Sequence, residues 1–295
     1  MPGSPVAFCD LWGNIVKLGV LGPLSVQVES ALYTPSAPKM RSVLATLLVH
    51  ADQVVPVSSL IRELWDEEPP VSCLTTLQTY ILNLRKLLAS ATGMSGRQVA
   101  SELLVTRSGG YLFRTAHGDL DVHRFHELVA DGRRALSSGD DQAALCTLSS
   151  ALQLWRGPAL VDVVAGRILE GRRQQFEESR LVVLEYLVDT QLRLGMYREV
   201  LTELAALTAD NPYHEGLHAQ YMRALYLNGR RAQALELFQR LRVNLVNHLG
   251  LEPGPMAQEL HRSILNAESI DAQGNLRRPT GDIVRMSSSG AVRVY

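Results

Sequence analysis

Apolar residues in the first third of the chain change their spacing more than once. Residues 16–34 are dense in Val, Leu and Tyr and broken by Gly22-Pro23, which predicts short antiparallel strands. Met40, Val43, Leu44, Leu47 and Leu48 then recur at three and four residues, the stripe of an amphipathic helix. Ser36 is its expected N-cap, and Pro38 falls in the first turn, where a missing N–H costs little. A second stripe, Val57, Leu60, Ile61, Leu64 and Trp65, ends at Asp66 to Pro70, because two prolines cannot continue a helix. Ser72 can cap a third helix, with Leu74, Leu77, Ile81, Leu84 and Leu88 on its apolar side. Gly93 to Gly96 loosens the chain. Beyond it, Leu103 to Thr106 and Tyr111 to Phe113 flank Ser108-Gly109-Gly110, a hairpin signal, since glycine accepts positive φ. Strands, three helices and a hairpin, in that order, predict a winged helix-turn-helix.

From Asp121 to Ala267 nearly every segment has helical spacing. Gly195 and Gly229 stand 34 residues apart, and the same offsets from each give Val200 and Ala234, Leu204 and Phe238, Leu207 and Leu241. Gly139, Ala144, Leu148 and Ala151 follow the same offsets. This is the period of tetratricopeptide helix pairs. The fold class is therefore mainly α with small β elements. Its expected parts are an extension at 1–15, a winged helix-turn-helix at 16–116, an all-α tetratricopeptide-like domain at 120–267 and a flexible tail at 268–295.

Composition narrows the classes. Hydrophobic residues are 46% of the 295, which excludes wholesale disorder, and no apolar run approaches the 18 residues of a membrane span. The first residues carry no signal-peptide pattern, and the three cysteines, Cys9, Cys73 and Cys146, form no CxxC, so a reducing cytoplasm is expected. The net charge of −1 argues against nucleic acid only on average. Within 72–115, Arg85, Lys86, Arg97, Arg107 and Arg114 face a single acid, Glu102. A local basic face matters more to DNA than the total.

On a helical wheel the third helix sets Thr75, Thr76, Thr79, Asn83 and Lys86 opposite its leucines, with Tyr80 and Arg85 on the flanks. A helix in the major groove needs this division, apolar toward its own domain and short hydrogen-bonding groups toward base edges. Asn pairs bidentately with adenine, Thr offers a hydroxyl and a methyl, and Arg85 and Lys86 suit phosphates. Any surface helix also has a polar face, so the hairpin adds weight: Arg107 at its tip can reach a phosphate or a minor groove.

The segments KLGVLGPL (17–24), PKMRSVLATLLVHADQVV (38–55), LQTYILNLRKLL (77–88) and VTRSGGYLF (105–113) resemble the winged-helix domain of the Streptomyces antibiotic regulatory proteins. LDVHRFHELVADGRRAL (120–136), LWRGPAL (154–160) and LGLEPGPMAQELHRSIL (249–265) resemble the bacterial transcriptional activation domain that follows it. The resemblance implies a pathway-specific activator of an antibiotic gene cluster. Its partners would be double-stranded promoter DNA with direct repeats near the −35 element, RNA polymerase holoenzyme with its sigma factor, and a second protomer side by side on the DNA. It implies base readout from Thr75, Thr76, Thr79, Tyr80 and Asn83. Backbone or wing contacts would come from Lys39, Arg41, Ser72, Arg85, Lys86, Arg107 and Tyr111. Leu82 and Asn83 depart from basic residues common in response-regulator relatives, and Ala37 replaces the usual glycine. No receiver domain precedes the winged helix and no GxxxxGK[ST] follows the helices, so neither phosphorylation control nor an NTPase module is expected.

His214-Glu215-Gly216-Leu217-His218 is a literal HExxH, the zinc-protease signature. Tyr221 and Ala224 break its metzincin extension, and the segment opens a helix after Pro212 at a repeat junction, so ordinary helix residues are the expectation. His123 and His126 are likewise read as a helix face. With no Gly-x-Ser-x-Gly, phosphate loop or GxGxxG, neither an enzyme nor a cofactor is expected. The alternative is a tetratricopeptide-like interaction scaffold, for which DNA binding would be weak and insensitive to salt.

Overall fold

The computed structural model describes residues 16–115 and 120–267, with the backbone of 269–270 and 276–277. The extension at 1–15 and most of the tail lie outside the described residues. Strands β1 (Val16–Gly19), β2 (Ser25–Val28) and β3 (Ala31–Leu32) form one antiparallel sheet in sequence order. Helix α1 (Pro38–Val49) follows. Pro38 opens it, but Ala37 rather than Ser36 holds the N-cap position, and no side chain caps it.

A three-residue strand β4 (Val54–Pro56), not expected from the sequence, leads into α2 (Val57–Trp65) and then α3 (Cys73–Thr92). Asp66 ends α2 at φ 51°, and Gly93 ends α3 in the left-handed region at φ 73°. Residues 93–95 break the regular structure as expected, and a short helix α4 (Gly96–Gln98) and a π turn (Val99–Leu103) follow, neither of them expected. Ser95 and Gln98 start it as a reciprocal capping box. Strands β5 (Leu104–Arg107) and β6 (Gly110–Phe113) make the hairpin, and β4 pairs on the free side of β6, giving the order β4-β6-β5.

Among the described residues seven helices follow: α5 (Asp121–Ser137), α6 (Asp141–Leu152), α7 (Arg167–Arg193), α8 (Glu199–Asp210), α9 (Glu215–Leu227), α10 (Arg231–Leu249) and α11 (Pro255–Leu265). Gly139, Gly195 and Gly229 each take positive φ in the turn after a helix, which explains their spacing. Of the residues picked by the repeat offsets, Val200, Ala234, Leu204, Phe238, Leu241, Ala144, Leu148 and Ala151 are buried, while Leu207 is half-buried.

Packing divides the chain inside α7, into Met1–Leu187 and Val188–Tyr295. In the first unit one apolar core is shared by the winged helix and α5, α6 and the first part of α7. Leu18, Leu21, Leu44, Leu48, Leu60, Leu84 and Phe113 belong to the same cluster as Phe125, Leu148, Trp155, Leu160, Leu169 and Phe176. Three carboxylates line this seam. Asp121, at the start of α5, accepts the N–H of Val20 (2.9 Å) and of Leu21 (3.0 Å). Asp162 accepts the N–H of Leu24 (2.8 Å) and pairs with Arg41 of α1. Glu63 of α2, 6% exposed, accepts the N–H of Gly166 (2.6 Å) and of Ile168 (2.7 Å) at the start of α7.

The LWRGPAL segment completes the seam. The Arg156 N–H donates to the Leu21 carbonyl, its guanidinium to the Pro23 carbonyl and the Asp121 carboxylate, and the Leu160 N–H to the Gly22 carbonyl. Gly22 is required here: its φ is +139°, and a Cβ would lie 2.9 Å from Arg156 Cβ. Burial raises the Asp121 carboxyl above its ordinary value, opposed by the Val20 and Leu21 N–H groups and by Arg156.

Candidate nucleic-acid interface

Helix α3 is held by one face. Leu77, Ile81, Leu84 and Leu88 are each at most 2% exposed, while Thr75, Gln78, Thr79, Leu82, Asn83 and Lys86 are exposed on the other side. Leu74 is a correction to the expected stripe: at 54% exposed it projects near the helix start instead of packing. Thr76 and Tyr80 are half-buried, and Tyr80 packs against the core. The Thr79 hydroxyl donates to the Thr75 carbonyl at 2.9 Å, leaving its oxygen lone pairs and methyl for a partner. Ser72 is exposed at the N-cap and makes no side-chain cap bond.

The other expected contacts separate into two groups. Lys86 and Arg107 are exposed, Arg107 at the end of β5 beside the Ser108-Gly109 turn, where Gly109 takes φ +77°. Lys39, Arg41, Arg85 and Tyr111 are engaged inside the unit. The Lys39 ammonium donates to the Leu64 carbonyl (3.2 Å) and lies 4.6 Å from the Trp65 ring centre. Arg41 donates to the Pro35 carbonyl and pairs with Asp162. Tyr111 is 8% exposed within the core. Arg85 ties α3 to the hairpin, donating Nε (3.0 Å) and Nη2 (2.8 Å) to the Leu104 carbonyl and Nη2 also to Thr106 Oγ1. Burial lowers its pKa from the arginine value, with Tyr111 acting the other way. Of these four, Arg85 ties the reading helix to the hairpin, a contact that periodicity cannot show because the Leu104 carbonyl lies 19 residues away.

Gln78 and Leu82 join the outward face without having been expected there. Their signal was available: Gln78, Leu82 and Lys86 follow one another at four-residue steps, one ridge of a helix.

The HExxH residues are used within α9 and its neighbour. His214 caps the helix, its Nδ1 accepting the Leu217 N–H at 3.3 Å. Glu215 accepts the N–H of Gly254, just before α11, at 2.5 Å. His218 is 4% exposed, with Nδ1 3.0 Å from the His214 carbonyl. Among the described residues no group of three or more His, Cys, Asp or Glu is placed to hold a metal ion, and no helix is long and apolar enough to cross a membrane.

Burial lowers the His218 pKa from the ordinary 6.5, against the His214 carbonyl bond. The unfolded chain therefore takes up this proton first on acidification. The stability that neutral His218 contributes above pH 6.5 is lost as pH falls toward its lower folded value, at up to about 1.4 kcal/mol per pH unit. Urea titrations at pH 7.5 and 5.5 should show the lower midpoint at pH 5.5. His218→Gln should reduce the difference without removing it, because burial also lowers His126 and His261. An undiminished pH dependence in that variant would rule out His218 as its source.

Two family models match the chain: transcriptional regulatory protein, C terminal, over residues 34–113, and bacterial transcriptional activator domain, over 120–265. Regulatory protein DnrI of Streptomyces peucetius is 45% identical over 260 residues, covering 88% of this chain and 96% of that one. Regulatory protein AfsR of Streptomyces griseus is 35% identical over 255 residues, so that this chain spans about a quarter of it. A solved structure, Mycobacterium tuberculosis EmbR in complex with a low affinity phosphopeptide, superposes with a TM-score of 0.82 at 32% identity, over 88% of this chain and 67% of that one.

Proposed function

This chain belongs to the Streptomyces antibiotic regulatory protein family of DNA-binding transcriptional activators, and from that premise we propose that it switches on a biosynthetic gene cluster by binding direct repeats near a promoter −35 element. Two protomers lie side by side, head to tail, with repeats about 10–10.5 bp apart so that both meet one face of the duplex. The bound pair recruits RNA polymerase holoenzyme through its sigma factor.

The observation that carries this reading is the two-faced α3, with four apolar side chains sealed into the core and Thr75, Thr79, Asn83 and Lys86 exposed opposite them. Arg107, exposed at the hairpin end, supplies a second point of attachment. Phosphate contacts of this kind set affinity and register, whereas the threonines and the asparagine supply the sequence information.

DNase footprinting upstream of the neighbouring biosynthetic genes, with and without polymerase holoenzyme, tests the proposal. Protection extending across the −35 region only when both proteins are present is the expected result. Protection identical with and without polymerase would remove recruitment from the proposal. Arg107→Ala should weaken every site and make the plot of log affinity against log salt shallower by about 0.9. An unchanged slope would take Arg107 off the phosphates.

A further inference from the structure

Two leucines of α3 are exposed, Leu74 near the helix start and Leu82 among the polar residues of the outward face. Leu82 is 52% exposed, and its helical neighbours are polar: Gln78 four residues before, Thr79 three before, Asn83 beside it and Lys86 four after. It is not an overhang of the core, because the buried stripe runs through Leu77, Ile81, Leu84 and Leu88 on the opposite side. What sets Leu82 apart is its place on the face opposite the buried stripe, where packing on a partner would take its apolar area out of water. In the major groove it has a match, since the thymine 5-methyl is the one apolar feature among the donors and acceptors on base edges.

We infer that Leu82 is a specificity-determining residue that packs on a thymine 5-methyl in the major groove, while Gln78, Thr79 and Asn83 around it hydrogen-bond to the flanking base edges. The inference rests on the DNA-binding reading above. The chemistry recognised is a methyl group on the groove floor, so the contact separates thymine from cytosine and from uracil without using a hydrogen bond. Lys86, one turn further along the same ridge, supplies the positive charge that draws the face to the phosphates.

The test uses the full chain. Selection from a pool of randomised duplexes gives its preferred site, and each thymine of that site is then replaced singly by deoxyuridine, which removes only the methyl. Fluorescence anisotropy on the wild-type chain should show one position in each repeat at which this replacement weakens binding about fourfold, the value of one buried methyl-sized group. Leu82→Ala should bind the unmodified site about as weakly as the wild type binds the duplex with uracil at both positions, and should show no further loss on it. Leu82→Met, which keeps apolar reach, should retain most of the penalty.

If every uracil substitution is neutral, or if the penalty survives unchanged in Leu82→Ala, Leu82 does not read a methyl and the inference is overturned, with DNA binding by the remaining face intact. If the pool yields no enriched sequence and binding does not weaken with salt, the DNA-binding reading itself fails and takes this inference with it. Leu82 lies outside the core, so the alanine variant should unfold at the wild-type urea midpoint.

Discussion

Glu63→Ala should lower the unfolding free energy by about 1–3 kcal/mol, the cost of leaving the N–H groups at the start of α7 without their acceptor. The carboxylate is 6% exposed and accepts three N–H groups, those of Gly166 (2.6 Å), Ile168 (2.7 Å) and Leu169 (3.4 Å). Those donors start α7, where the unpaired N–H groups and the helix dipole both favour a negative partner. Alanine removes that acceptor from donors that are partly or fully buried. Glu63→Gln keeps one oxygen but turns an amide nitrogen toward a donor, so its cost should fall between wild type and alanine. Gly166→Ala is a second probe of the same contact, because a Cβ there would come 2.4 Å from the Glu63 carbonyl oxygen. Urea denaturation followed by circular dichroism measures all three. A loss under about 1 kcal/mol for Glu63→Ala would mean that other groups satisfy the donors, and that the seam adds little to stability.

Asn83→Ala should behave in the opposite manner, altering recognition and leaving the fold alone. The side chain is exposed, so the urea midpoint should stay within about 0.5 kcal/mol of wild type. On the preferred duplex, affinity should fall by about 1–3 kcal/mol, roughly 5- to 150-fold, as one bidentate pair with adenine is lost. Preference should relax at one base pair while binding to unrelated duplexes stays the same. Competition between the preferred site and its single-base variants reads this directly. An equal loss on every sequence would place Asn83 on the phosphates, and no loss on any would place it outside the contact.

What the sequence foretold and what it concealed follow from the range of the interactions involved. The helices of both halves were legible because burial repeats every three or four residues. Leu77, Ile81, Leu84 and Leu88 announced the inner face of α3 that way, and Val200 and Ala234 announced the repeat. Strand β4 was missed because three residues ending in proline carry no alternation of their own. It exists because β6 offers it a free edge. The turn of 96–103 starts from the Ser95–Gln98 reciprocal cap, a local signal too short to stand out beside Gly93 and Gly96. In the candidate interface, position on the wheel identified Thr75, Thr79, Asn83 and Lys86, whereas the tethering of Arg85 to Leu104 and of Arg41 to Asp162 could not be read from spacing. The roles of Glu63, Asp121 and Asp162 cannot be read from local spacing, because the N–H groups they accept lie about a hundred residues or more away.

The shared core also has a consequence for heredity. A hybrid regulator spliced at residue 116 would set a foreign winged helix against Asp121, Arg156 and Asp162, and few such grafts should survive. A crossover after Leu187 would carry the recognition helix together with the scaffold that holds it. New promoter preferences in this lineage should therefore arise by point change on the α3 surface, or by recombination that leaves the first 187 residues whole, and seldom by exchange of the DNA-reading third alone.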